Sequence, residues 1–176
     1  MHSLINIENY EIPIGNHLDK KVVLSWDHRG VAYVRDIIKY LESFSIKHNE
    51  VGNFSKERCD YPEKSFTLGK IISNDYPNSV GIGLCGSGIG IMQMAGKHKR
   101  VFGARCAYSE EARKSRIHNN TNLLTIGMDN VSLDSAINII HSWMITPFYS
   151  DPENESRYMD RYIQSLKLED ELWAVK

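Results

Sequence analysis

Apolar and polar positions alternate between two rhythms along the chain. KVVLSW at 21–26, SVGIGLC at 79–85, VFGARCA at 101–107 and NLLTIG at 122–127 are short, nearly continuous apolar runs, the pattern of strands buried on both faces. IKHNEVG at 46–52 is a weaker run of the same kind. Between the first two, Val31, Val34, Ile37, Ile38, Leu41 and Phe44 recur at helical spacing and predict an amphipathic helix. Asp60-Tyr61-Pro62 opens a second helix, with proline at the first turn, where its missing N–H costs nothing. A glycine-rich loop after Cys85 leads into a third helix ending near Lys97. Ser109 is placed to cap a fourth, with Glu110 and Glu111 in its first turn. Two more are expected over about 132–145 and 154–170. Residues 1–20 have weak periodicity and carry Pro13 and Gly15. They read as an extension packed on the body or on a partner subunit, and 21–176 as a single domain.

Strands alternating with helices predict a parallel sheet covered on both faces, an α/β fold. Ligands of such sheets bind outside the carboxyl ends of the strands. Asp27, His28, Cys85 and the glycine loop all fall at those ends.

Composition narrows the function. Of 176 residues 41% are apolar and 24% charged, with a net charge of −1. That balance and the lack of a basic run argue against nucleic acid, but leave room for a small anionic ligand held by local charge. No apolar run approaches the roughly 20 residues that span a bilayer. The N-terminal MHSLINIENYEIPIG has no basic region followed by an apolar core, so no secretory signal is read there. Three cysteines, Cys59, Cys85 and Cys106, are an odd set without Cys-x-x-Cys spacing. A disulfide framework or zinc knuckle is not expected, and a reducing cytoplasm fits.

The chemistry concentrates in GLCGSGIGIMQMAGK at 83–97. Gly86, Gly88 and Gly90 let backbone N–H groups approach an anion, and the following helix adds its positive end. The spacing is not the dinucleotide Gly-x-Gly-x-x-Gly, and no Gly-Lys-Ser/Thr appears. Cys85 alone reads first as a small buried hydrophobe. Beside a helix N-terminus, however, a thiolate is favoured and can act as a base, and Ser87 adds a hydroxyl that donates and accepts. His118 lies where a helix gives way to a strand, beside Asn119 and Asn120, at least one of which suits a helix C-cap. Arg157 and Arg161, four apart, share one helix face. That face is either solvated or a phosphate clamp.

Taken in order, Asp27-His28-x-Gly30, Asp60-Tyr61-Pro62, Cys85-Gly-Ser-Gly-Ile-Gly90, Ser115-Arg-x-His-Asn-x-x-Asn122 and Arg157-x-x-x-Arg161 resemble the ribose-5-phosphate isomerase B family, which includes the galactose-6-phosphate isomerase subunits. The likeness spans about residues 21–165. It implies a Rossmann-like three-layer α/β/α domain with a five-stranded parallel sheet, and a homodimer, sometimes paired into a tetramer, with sites at the subunit interface. It also implies isomerisation of phosphorylated aldoses and ketoses through an enediolate, with neither cofactor nor metal. Cys85 is present and Ile91 stands where the other branch of the family has a glutamate, so the chain resembles the cysteine branch.

By this resemblance Cys85 moves the proton between C1 and C2, Ser87 shuttles protons between oxygens, and His118 helps open the sugar ring. The N–H groups of Gly86, Gly88, Ile89 and Gly90 hold the enediolate. Asp27 and Asn119 bind hydroxyls, Tyr61 sits against the substrate, and His28, Arg157 and Arg161 grip the phosphate. Departures from the family pattern are Ala95-Gly96-Lys97, Arg29 after His28, and Asp129, where most members place a phosphate-binding arginine. Arg29 is expected to supply the charge that position 129 lacks. Ribose 5-phosphate is the expected substrate. The alternatives are a hexose 6-phosphate (allose or galactose 6-phosphate) and a non-catalytic sugar-phosphate-binding paralogue.

Overall fold

The computed structural model describes residues 3–52, 54–55, 57–149 and 152–174. Residues 1, 2, 175 and 176, the outermost positions of the expected extension and domain, lie outside them. In chain order the elements are β1 (Ser3–Ile7), β2 (Tyr10–Ile14), β3 (Lys21–Trp26), α1 (Val31–Ser43), β4 (His48–Val51), α2 (Pro62–Asn74), β5 (Ser79–Cys85), α3 (Ile89–Ala95), β6 (Gly103–Arg105), α4 (Ser109–Asn119), β7 (Leu123–Gly127), α5 (Leu133–Ile145) and α6 (Pro152–Ala174).

Strands β3 to β7 form one parallel sheet in the order β4-β3-β5-β7-β6. Of the three inner strands, β5 and β7 are buried at every residue and β3 at every residue but Lys21, as their apolar runs require. Side chains alternate across the sheet. Val22, Leu24 and Trp26 join α1 and α5 in one core, through Val34, Ile37, Leu41, Ile139, Ile140 and Trp143. Val23 and Leu123 face the other way and meet Leu68 and Ile72 of α2 and Ile91 and Ala95 of α3. The result is the expected Rossmann-like three-layer α/β/α arrangement. Truncating a residue such as Leu24, fully buried between sheet and helix, costs about 2–5 kcal/mol.

Several local expectations shift. The strand expected over 101–107 shortens to Gly103–Arg105 at the sheet edge, because only these residues pair with Leu123–Thr125. Helix α3 stops at Ala95 rather than Lys97, and turns continue through the Lys97 N–H, which donates to Met94 O at 3.2 Å. Ser109 does not cap α4. It is the first helical residue, the cap position is Tyr108, and the Glu111 carboxylate turns back to accept the Ala107 N–H at 2.7 Å. Asn120 is the C-cap of α4 in the left-handed conformation, φ 48°, which leaves Asn119 as the last helical residue.

The extension is more structured than its weak periodicity suggests. Strands β1 and β2 form an antiparallel hairpin closed by Glu8 and Asn9, both at positive φ as a two-residue hairpin turn requires. Ile12 is fully buried in a third cluster with Phe148 and with Met159, Tyr162, Ile163 and Leu166 of α6. No helix among the described residues is long and apolar enough to cross a membrane.

Candidate active site

Strand β5 ends at Cys85, and the chain must turn at once to start α3. Gly88 makes that turn with φ 77°, a conformation costly to any residue with a side chain. The turn aims the Gly88 N–H at Cys85 Sγ, 3.1 Å away, while Thr125 of β7 fixes the loop by donating to Gly88 O at 2.8 Å. The thiol itself is almost fully buried, and Ser87 above it is exposed. Ser87 Oγ accepts the Ile89 N–H at 3.2 Å. Gly90 has no room for a side chain, since a Cβ there would lie 2.5 Å from the ring of Tyr61. Tyr61 thus lies across the first turn of α3, with its ring partly exposed.

Asp27 and His28 follow β3 on the same rim. Asp27 is buried and its Oδ1 accepts the Arg29 N–H at 2.8 Å. His28 Nδ1 donates to Cys59 O at 2.9 Å, which assigns the proton to Nδ1 and turns Nε2 to accept or to carry a second proton. Arg29 does not offer a free guanidinium. It donates to Asp129 through Nε at 2.9 Å and Nη2 at 2.6 Å, and the expected substitute charge is neutralised by the carboxylate it was expected to offset. A pocket of about 330 Å³ opens between His28, Arg29 and Asp129. Arg105, at the end of edge strand β6, also reaches this rim and donates to Ser87 O at 3.2 Å. The sequence reading placed it inside an expected strand and gave it no role.

His118, Asn119 and Arg161 are brought together elsewhere. They line a cavity of about 470 Å³ with Phe102, Ser115 and Tyr162. His118 stacks on Tyr158 with centroids 4.6 Å apart and planes 29° from parallel. Arg157 bonds the Tyr158 hydroxyl at 2.9 Å and covers the same ring, so it sits on the shoulder of the cavity. Tyr158, between the two arginines in sequence, was likewise not singled out.

The two groups lie at opposite ends of the sheet. His118 and Asn119 end the helix that enters β7, and Cys85 pairs with Gly127, where β7 leaves. The five residues of β7 put about 13 Å between these ends, at about 3.3 Å per residue. Within one chain the thiol and the imidazole therefore stand at opposite ends of the sheet. Cys106 is a poor rival to Cys85, since burial pushes its thiol up to about 12 and keeps it protonated.

The chain matches the Ribose/Galactose Isomerase family over residues 22–160. It is 35% identical over 144 residues to ribose-5-phosphate isomerase B of Mycobacterium leprae, covering 80% of this chain and 86% of that protein. It is 30% identical over 125 residues to ribose-5-phosphate isomerase B of Escherichia coli, covering 71% and 83%. The solved structure of Clostridium thermocellum ribose-5-phosphate isomerase B superposes with a TM-score of 0.77 at 28% identity, covering 86% of this chain and 99% of that one.

Proposed function

The chain belongs to the Ribose/Galactose Isomerase family and is a sugar-phosphate isomerase, and on that premise we propose that it interconverts ribose 5-phosphate and ribulose 5-phosphate with Cys85 as the base. The observation that carries this reading is the Gly88 N–H directed at Cys85 Sγ from the loop that opens α3. A sulfur anion there is held by a backbone dipole, beside further N–H groups facing the same rim.

In the open-chain aldose, the Cys85 thiolate takes the proton from C2. The C2 electron pair forms the C1–C2 double bond, and the carbonyl electrons move onto O1. The resulting enediolate is a weak acid's conjugate base and needs electrostatic help, which the N–H groups from Gly86 to Gly90 supply, those of Gly88 and Ile89 on release from Cys85 Sγ and Ser87 Oγ. Ser87 carries a proton between O1 and O2. Cys85 then returns its proton to C1, giving the ketose with no hydride acceptor. Asp27 accepts from a sugar hydroxyl through Oδ2, its Oδ1 being taken by the Arg29 N–H. Tyr61 packs on the sugar, and His28 meets the phosphate.

The remaining roles need a second copy. In a symmetric homodimer the Cys85 rim of one subunit faces the cavity holding His118 of the partner subunit, and the symmetry makes two equal sites. His118 then opens the ring by general acid–base action, Asn119 binds a hydroxyl, and Arg161 with Arg157 grips the phosphate. Three unpaired cysteines support a cytoplasmic location.

The test is aldose–ketose conversion across a panel of pentose and hexose phosphates, with Cys85→Ala alongside. Ribose 5-phosphate is expected to turn over, and Cys85→Ala to lose about 10²–10⁴-fold in rate. Equal turnover by Cys85→Ala removes the base assignment. Preference for a hexose 6-phosphate moves the substrate, and tight binding without turnover of any member identifies a non-catalytic paralogue.

A further inference from the structure

We propose that the N-terminal hairpin and the residues after it, 3–17, form a positioning strap that holds the His118 half of the active site in its working geometry. The inference rests on the roles proposed above for His118 and the two arginines. The strap precedes residue 22, where the family match begins, and it grips both elements that carry those residues.

At the end of α4 the grip is polar. Asn120 donates through Nδ2 to Pro13 O at 2.8 Å and accepts through Oδ1 from Arg116 at 2.8 Å. Arg116 is fully buried, and its other acceptors are Thr121 O at 2.7 Å, Thr146 O at 3.3 Å and Gly15 O at 3.0 Å. Every one of these partners is a neutral oxygen, so the strap's Gly15 carbonyl helps solvate a buried cation. His17 adds a bond from Nε2 to Thr121 O at 3.0 Å. The turn that orients His118 and Asn119 is thereby fastened at three points to residues 13–17. The strap is itself anchored where Gly15 and Phe148 exchange backbone bonds, both 3.0 Å.

Along α6 the grip is mostly apolar. Ile12 is sealed against Met159, Tyr162, Ile163 and Leu166, on the turns that present Tyr158 and Arg161. Tyr10 donates to Asp170 at 3.0 Å further along. Because His118 sits on α4 and its stacking partner Tyr158 on α6, the strap sets the distance between them. Asn120 is therefore a positioning residue and does not touch substrate.

Two variants separate the two grips. Asn120→Gly keeps the left-handed backbone and deletes the polar tie, while Ile12→Ala loosens α6. Asn120→Asp keeps an acceptor for Arg116 and turns the tie to Pro13 into a repulsion between two oxygens, and it substitutes if Asn120→Gly does not fold. For ribose 5-phosphate, the Asn120 variants are expected to lower kcat about tenfold with KM little changed, and Ile12→Ala to raise KM about as much with kcat little changed. A readout independent of turnover is the NMR signal of the His118 Cε1–H, displaced by the ring current of Tyr158. It is expected to move in both variants toward its position in Tyr158→Leu. An unmoved His118 signal in folded variants, or wild-type kcat and KM in both, overturns the strap. A wild-type protein that turns over no sugar phosphate overturns the proposed function alone, and the His118 signal still decides the strap.

Discussion

Cys85 and the loop that serves it come from one uninterrupted stretch between β5 and α3, whereas His118, Asn119, Arg157 and Arg161 come from two helices joined through a distant hairpin. The first rim is built by local rules. A buried strand must end, a glycine turns the chain, and the N–H of that glycine points at the sulfur. The second rim depends on tertiary contacts between α4, α6 and residues 12–17. A site made from both therefore inherits its reacting group from local geometry and its ring-opening and anion-binding groups from long-range packing. The two rims face opposite ends of one sheet, and on the proposed roles one chain carries two half-sites.

Mixing dead halves tests that separation most severely. Cys85→Ala and His118→Ala subunits, each inactive alone, are co-expressed with different tags so that hybrid dimers form. Each hybrid pairs one intact thiol rim with one intact imidazole rim. An equal mixture is expected to recover about a quarter of the wild-type sites under two-fold symmetry. The check is steady-state isomerisation by the mixture and by purified hybrid. No recovery in the purified hybrid places both groups in one subunit's site and breaks the comparison.

Legibility in the sequence follows the same division. Strands β5 and β7 are buried on both faces and read as apolar runs without help from context. The glycine loop and Asp27-His28 follow from the rule that ligands sit at strand ends, and they fall on one rim as expected. The hairpin was not legible. Its two strands are only five residues each and the second carries Pro13, and Ile12 is core only because α6 lies over it. Edge strand β6 was read too long, since only three of its residues pair with its single neighbour. The departures at positions 29 and 129 were both visible, yet their direct contact across a hundred residues was not. Nor could motif spacing reveal that the family-like residues divide between two ends of the sheet.

Next in size is a pH effect confined to the second rim. Burial first, and then the charge of Arg116, hold His17 well below 6.5. The unfolded chain takes up this proton near 6.5 and the folded one does not. Below about pH 6.5 the unfolded state therefore binds more protons, and stability falls by up to about 1.4 kcal/mol per pH unit as pH drops toward the folded value. Above 6.5 the full stability is present. His17→Gln is expected to flatten that slope, measured as urea midpoints at about pH 7 and about pH 5.5. Asp170, held at about 2 chiefly by its bond from Lys99, loses its contribution only at more acid pH and does not blur the window. A variant with the wild-type slope would show that His17 is not the group responsible.

The smallest expected effect concerns charge at the first rim. Asp129 overhangs the glycine loop, its Oδ2 2.8 Å from where a Cβ on Gly86 would lie, and Arg29 neutralises it. Both side chains are about half exposed, so the pair is worth only about 0.2–1 kcal/mol. Arg29→Ala would leave a bare carboxylate where a doubly charged phosphate enters, and is expected to raise KM about 2–5-fold with kcat unchanged. Asp129→Asn would release the guanidinium and lower KM by a similar factor, while the double variant returns close to wild type, because each change cancels the charge the other exposes. Initial rates against ribose 5-phosphate at two salt concentrations separate this from a packing effect, since both shifts shrink as ionic strength rises. An unchanged KM in Arg29→Ala would mean that the pair only shapes the loop, and that the anion is held entirely by the arginines of the other rim.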